Sequence, residues 1–324
     1  MSSSESLVAT EVLQESIWSG RRHLIDTKDL TVDEAHHLID LAGRYAQGGA
    51  AAVPLPAVHR GRAMANVFYE NSTRTRSSFE IAGKMLGLNV VNLDVSSSSV
   101  AKGESFEDTG RSLVAMGFEV IVQRHSSSGT AHQLVGMIGD KVRIVNAGDG
   151  ANEHPTQALL DAMTMLQFKK SLEGVKVAII GDVTHSRVAR SNLWLLKRLG
   201  ADVHFCGPNT LMPSYLNKFA NVHLRIEDAI KDADFVMVLR INHERQQSGL
   251  IPSIYEYSQI FRVDHARIAL AKPDVKVMHP GPMNRDVEIT NALANDPQYS
   301  VVERQVANGY FIRMAVLYTL FVHT

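Results

Sequence analysis

One cysteine and a net charge of -1 are what this 324-residue sequence most plainly lacks in cross-links and in charge of one sign. The lone Cys206 excludes an intrachain disulfide, and with it the small scaffolds that depend on such staples. Lys and Arg number 33 against 34 Asp and Glu, so there is no global basic field to hold nucleic acid or an anionic membrane, and basic residues must act locally. No apolar run approaches the roughly 18 residues of a membrane span; the longest are short stretches such as VKVAII and FVMVL. The opening MSSSESLVATEVLQESIW lacks the basic start and apolar core of a signal peptide, which makes the cytoplasm the expected compartment. H-E-x-x-H, C-x-x-C, G-x-S-x-G and P-loop patterns are all missing, so the 14 histidines do not add up to a metal site.

What is present is an ordinary folded composition, 45% hydrophobic and 21% charged, with length for about two domains. Short β-branched runs alternate with helical patterns throughout, which predicts an α/β fold of two domains, each a parallel sheet flanked by helices. Strands are expected near 65–69, 90–93, 120–123 and 142–146, and again near 175–180, 203–206, 235–239 and 275–278, giving two sheets of four. A helix from His154 through Lys170 marks the boundary, placing domains at 1–154 and 155–301. A strongly apolar last helix, 302–324, needs a groove and returns to the first domain. Thr31–Tyr45 reads as a helix with a Thr cap.

Several polar clusters fall at strand ends. Ser72-Thr73-Arg74-Thr75-Arg76 lies between a strand and a helix expected at Ser77–Leu86, and hydroxyls, guanidinium forks and backbone N–H groups there suit a phosphate. Arg124 follows a strand directly; His125 beside it reads as structural. His154 precedes Pro155, which excludes it from helical geometry and projects its imidazole from a cap. Gly181-Asp182-Val183-Thr184-His185-Ser186-Arg187 lacks the second and third glycines of a dinucleotide loop, so no nicotinamide cofactor is expected. Arg187 and Arg240, each after a strand, are two guanidinium forks suited to a dicarboxylate. In His279-Pro280-Gly281-Pro282 two prolines impose a rigid loop. The loop around Ser98 and Lys102 fits a mobile surface segment as well as a site.

These motifs, with Lys102-Gly103-Glu104 and His154-Pro155-Thr156-Gln157, resemble the catalytic chains of the aspartate carbamoyltransferases, within the aspartate/ornithine carbamoyltransferase family, in the same order from about residue 20 to the C-terminus. The resemblance implies transfer of the carbamoyl group of carbamoyl phosphate to L-aspartate, an early step of de novo pyrimidine biosynthesis, with no cofactor. It implies carbamoyl-phosphate contacts from Ser72, Thr73, Arg74, Thr75, Ser98, Lys102, Arg124, His154, Gln157, Pro280 and Gly281, with Thr75, Lys102, Arg124 and His154 catalytic. Aspartate would meet Arg187, Arg240, Asn242 and Lys102. Ser98 and Lys102 would come from a neighbouring subunit, making the unit a homotrimer, with regulatory chains or a dihydroorotase as further partners. Domain closure would pair Glu70 with Arg187 and Arg245. Two departures stand out: Asn242 where the family usually has glutamine, and Asp286 where glycine is common. Ornithine carbamoyltransferases instead typically carry H-P-C-Q, H-C-L-P and an S-M-G loop.

Overall fold

Residues Trp18, 20–94, 105–241 and 249–323 are described by the computed structural model. The chain divides into two compact units, Met1–Leu159 with Asn308–Thr324, and Leu160–Ala307.

The first unit opens with α1 (Val32–Gly48), started by a reciprocal cap in which the Thr31 hydroxyl accepts the Glu34 N–H and the Glu34 carboxylate accepts the Thr31 N–H. Then follow β1 (Ala63–Phe68), α2 (Thr73–Met85), β2 (Asn89–Asp94), α3 (Phe106–Ala115), β3 (Phe118–His125), α4 (Thr130–Ile138) and β4 (Arg143–Asp149). The four strands are parallel, in the order β2-β1-β3-β4. Ala65, Val67, Ile121 and Ile144 pack against Leu113 of α3 and Leu134 and Ile138 of α4, the covering by helices that parallel sheets require.

Helix α5 (Pro155–Leu166) runs from the first unit into the second, which continues with β5 (Lys176–Ile180), α6 (Arg187–Arg198), β6 (Asp202–Cys206), β7 (Asn221–His223), α7 (Ile226–Ile230), β8 (Phe235–Val238), α8 (Ile254–Phe261), α9 (His265–Ile268), β9 (Lys276–Met278) and α10 (Asn291–Ala294). The sheet is again parallel, ordered β7-β6-β5-β8-β9, over a core that includes Ile180, Val236, Val238, Tyr257, Phe261 and Val277. Cys206 is buried in this core, where burial raises its thiol to about 12 and leaves it an inert apolar group.

Helix α11 (Val302–Val322) closes the chain; from Asn308 onward it belongs to the first unit, where Thr319 meets His37 and Arg313 meets Ser78. Ile312, Met314, Ala315, Val316, Leu317, Leu320 and Phe321 are all buried, as expected of a helix apolar on nearly every side. The two-sheet α/β architecture and the returning helix match the expectation, but the second sheet has five strands rather than four. The fifth, β7, is a three-residue edge strand with one apolar residue, too short to give a period. Helix α2 also begins at Thr73, not Ser77, so the hydroxyl and arginine cluster forms its first turn. Among the described residues no helix is long and apolar enough to cross a membrane, and no three His, Cys, Asp or Glu are grouped to hold a metal.

Candidate active site

In each unit part of the predicted set lies where the winding of the sheet reverses, Ser72–Thr75 and Arg124 at β1 and β3 and Arg187 and Arg240 after β5 and β8, while His154 follows β4 and Pro280 and Gly281 follow β9. The first sheet reverses between β1 and β3 and the second between β5 and β8, and open α/β sheets bind ligands at the C-terminal ends of such neighbouring strands. This placement could not be read from the sequence, because strand order is not written there.

In the first unit, Phe68 pairs in register with Arg124, so the turn leaving β1 runs beside the end of β3, and the Tyr69 N–H donates to the Arg124 carbonyl at 2.9 Å. That turn delivers Ser72, Thr73, Arg74 and Thr75 to the start of α2. Ser72 is the cap residue, yet its hydroxyl makes no capping hydrogen bond, whereas Thr31, Ser105, Ser186, Ser253, Asp264 and Thr290 all cap their helices. The first turn has no acidic residue and carries Arg74 and Arg76 at the positive end of the helix dipole. Leading N–H groups without intrahelical acceptors, hydroxyls and two guanidinium groups together favour a bound anion. Thr75 is buried and Arg74 exposed.

Arg124 spans this turn and β4: its Nε lies 3.2 Å from Glu70 Oε2 and its Nη1 donates to the Ala147 carbonyl at 3.2 Å. Glu70 is thus engaged within its own unit; Arg245, with which closure would pair it, lies outside the described residues, as do Ser98, Lys102 and Asn242. His125 is structural as expected: its Nδ1 accepts the Ser127 N–H, and its ring packs with Tyr69 and Phe106 at 4.9 and 5.8 Å.

His154, only 4% exposed, occupies the cap of α5, its carbonyl accepting the Gln157 and Ala158 N–H groups. Pro155 takes the first helical position, where its missing N–H costs nothing. Holding this cap is a buried carboxylate that sequence reasoning missed. Asp149 accepts the Gly129 N–H at 2.6 Å, the Asn146 amide at 2.7 Å and the Glu153 N–H at 3.1 Å, and the Glu153 carboxylate in turn accepts the Thr27 hydroxyl at 3.0 Å. Asn, Asp and Glu clustered in the N-A-G-D-G-A-N-E run were its only sequence signal.

In the second unit, Gly181 leaves β5 at φ 131°, and a Cβ there would stand 2.9 Å from the Leu239 carbonyl. Glycine is therefore required where β5 and β8 part. Buried Asp182 then accepts the His185 N–H and faces His185 Nδ1 at 3.0 Å, the Ser186 hydroxyl caps α6, and Arg187 opens the helix, 6% exposed. Arg240 stands half-buried, two residues after β8. Ile180 pairs with Val238, so both arginines emerge from adjacent strands. Pro280 and Gly281 are partly buried in the turn after β9, with Gly281 at φ 64°. His279 anchors that turn, Nδ1 accepting the Gly281 N–H at 2.8 Å and Nε2 facing Glu288 Oε1 at 3.2 Å. Asp286 takes up the left-handed conformation at φ 65° that glycine favours, and its carboxylate accepts the Asn291 N–H at 2.9 Å.

Residues 22–167 match the family profile described as Aspartate/ornithine carbamoyltransferase, carbamoyl-P binding domain, and residues 173–320 match its Asp/Orn binding domain. Among curated relatives, the aspartate carbamoyltransferase catalytic subunit of Caldanaerobacter subterraneus subsp. tengcongensis is 50% identical over 301 residues, covering 92% of this chain and 97% of the relative. The subunit of the same name from Syntrophotalea carbinolica is 48% identical over 298 residues, covering 92% and 94%. Among solved structures, aspartate transcarbamoylase from Trypanosoma cruzi in complex with carbamoyl phosphate and aspartate superposes with a TM-score of 0.81 at 31% identity, covering 94% and 98%. Ornithine carbamoyltransferase from Pyrococcus furiosus gives 0.80 at 28% identity, covering 92% and 96%.

Proposed function

Because the chain belongs to the aspartate/ornithine carbamoyltransferase family, matched across both units, we propose that it transfers the carbamoyl group of carbamoyl phosphate to the α-amino group of L-aspartate, giving N-carbamoyl-L-aspartate and phosphate. The observation that carries the reading is the uncapped first turn of α2, with Arg74 and Arg76 at the helix N-terminus and Arg124 in register on the neighbouring strand. In this reading residues 1–154 with 302–324 hold carbamoyl phosphate, and residues 155–301 hold aspartate.

Ser72, Thr73, Arg74 and Thr75 cradle the phosphate. Thr75, Arg124 and His154 polarise the carbonyl, where charge develops as the tetrahedral intermediate forms. Gln157 and the backbone of Pro280 and Gly281 hold the carbamoyl amide, and Arg187 and Arg240 bind the two carboxylates of aspartate. The uncharged amine attacks the carbonyl, the C–O bond to phosphate breaks, and the departing phosphate takes the amine proton. Positioning and fixed positive charge supply the rate, without a cofactor. Ser98, Lys102 and Asn242 rest on the resemblance alone, as do the homotrimer, the cytoplasmic location, the place in pyrimidine biosynthesis and any regulatory-chain or dihydroorotase partner.

The test is product formation from carbamoyl phosphate with aspartate and, separately, with ornithine, using Arg240→Ala as control. Turnover with aspartate alone, abolished by the substitution, is expected. Turnover with ornithine reassigns the amine substrate, and silence with both refutes the proposal.

A further inference from the structure

The turn containing Pro280 and Gly281 and the helix that opens with Arg187 are tied together by one buried chain of polar groups, and we infer that Gln305, at its centre, is a positioning residue for both of the second unit's substrate contacts. The inference deepens the reading above and rests on it for the identity of those contacts.

Gln305 lies in the first turn of α11 and is 2% exposed. Its Oε1 accepts the His279 N–H at 2.9 Å, and its Nε2 donates to Asp161 Oδ1 at 2.8 Å. The other oxygen of Asp161 accepts Asn192 Nδ2 at 2.8 Å, and the same amide reaches the carbonyl of Val188, the residue after Arg187, at 3.1 Å. On the far side, Gly281 N–H can only donate, so His279 Nδ1 is the acceptor; Nε2 then carries the ring proton toward Glu288, whose Oε1 also takes the Asn284 N–H. His279, Asp161, Asn192 and Glu288 are all buried, so none of these bonds can be exchanged for water without cost.

The position demands an amide. One end of the side chain must accept from a backbone N–H and donate to a carboxylate, and among the side chains of this length only glutamine does both. Glutamate would set two carboxylates against each other, and methionine would fill the space while removing both the acceptor that Gln305 gives the His279 N–H and the donor it gives Asp161 Oδ1. Tilting Gln305 therefore moves the Gly281 backbone and the start of α6 at once, although Gln305 touches neither substrate.

Three full-length variants test this: Gln305→Met, Gln305→Glu, and Gln305→Glu combined with Asp161→Asn. In the double variant the carboxylate at 305 accepts from both His279 N–H and the new amide at 161, whose oxygen still accepts from Asn192, so the chain is rebuilt with its polarity reversed. Gln305→Met is expected to lower kcat/KM about 10- to 100-fold, through KM for both substrates. It should also speed amide exchange at residues 279–284 and 187–192 together, and the double variant should recover most of both. A folded Gln305→Met protein with a lower Tm but wild-type KM values and exchange overturns the inference. If the single variants do not fold, the double variant decides: recovery supports, and a folded double variant with fast exchange and raised KM overturns. If the wild-type enzyme fails to carbamoylate aspartate, the reading of the site falls, and exchange alone judges the coupling. Acceleration at both segments supports it, and acceleration at one only overturns it.

Discussion

Arg124 Nε lies 3.2 Å from Glu70 Oε2, so the guanidinium proposed to polarise the carbamoyl-phosphate carbonyl already holds a carboxylate. Both side chains are partly buried, 12% and 24% exposed, Arg124 lying on β3 opposite Phe68 and Glu70 in the turn two residues beyond Phe68. An incoming phosphate must compete with Glu70. Glu70→Gln, which removes the charge and keeps the shape, should tighten binding of inorganic phosphate and carbamoyl phosphate by about three- to tenfold. Calorimetric titration at two salt concentrations measures this, and an unchanged or weaker affinity would show that Glu70 does not oppose the ligand.

His154 is buried at a helix cap, and the loop that leads into this cap is held by other groups, the Asp149 carboxylate accepting the Glu153 N–H and the Glu153 carboxylate accepting the Thr27 hydroxyl. His154→Ala should therefore leave the fold intact while lowering kcat by about 10²- to 10³-fold, the usual loss when one donor to a developing oxyanion is removed. Steady-state kinetics beside a thermal melt separate the two effects. A kcat within about threefold of wild type would remove His154 from the chemistry.

Asp286 holds a left-handed backbone but returns a hydrogen bond to Asn291 N–H. The strain of that conformation and the hydrogen bond are each worth about 1 kcal/mol and act in opposite directions. Asp286→Gly should thus shift stability by less than about 0.5 kcal/mol. Asp286→Val, which keeps the strain, adds a branched Cβ and loses the bond, should cost about 2 kcal/mol or more. Urea unfolding of the pair checks the difference, and equal stabilities would mean the backbone relaxes.

Burial pushes His37 down from 6.5 to about 4, with nearby His323 adding to it. His23 is also pushed down to about 4, by burial first and then by Arg22 and Arg143. In the unfolded chain both take up a proton near 6.5, so between about pH 6.5 and 4 the unfolded state holds more protons than the folded one. The contribution of these two groups to stability should then be complete above about pH 6.5 and be lost as pH drops toward 4. His37→Gln should make this fall shallower, read from denaturant midpoints across the range. An unchanged slope would assign the acid sensitivity elsewhere.

Hydrophobic period and turn residues made eight of the nine described strands legible, because a parallel strand covered on both faces is a β-branched run that little else imitates. They failed at β7, where Asn221-Val222-His223 offers one apolar residue. They also misplaced the start of α2, since Thr73-Arg74-Thr75-Arg76 has no apolar stripe and a helix whose first turn faces a ligand edge does not need one. Motif order offered candidate site residues, but not the groups that hold the described ones in place. Asp149, Glu153, Asp161 and Glu288 are acidic residues, expected at the surface, and only their tertiary partners explain their burial.

The division of α11 between the units has a consequence for how the protein is made. The second unit is complete at Ala307, whereas the first still awaits Asn308 onward, the stretch that brings Arg313 to Ser78 and Thr319 to His37. On the ribosome, domains ordinarily mature in the order in which they are synthesised. Here the part that begins first matures later: its parallel sheet emerges early, while the buried Ile312, Met314, Leu317, Leu320 and Phe321 of α11 that belong to it follow only after the second unit. That interval is when a nascent molecule is most exposed to aggregation, and the one in which a chaperone would have its longest opportunity to bind.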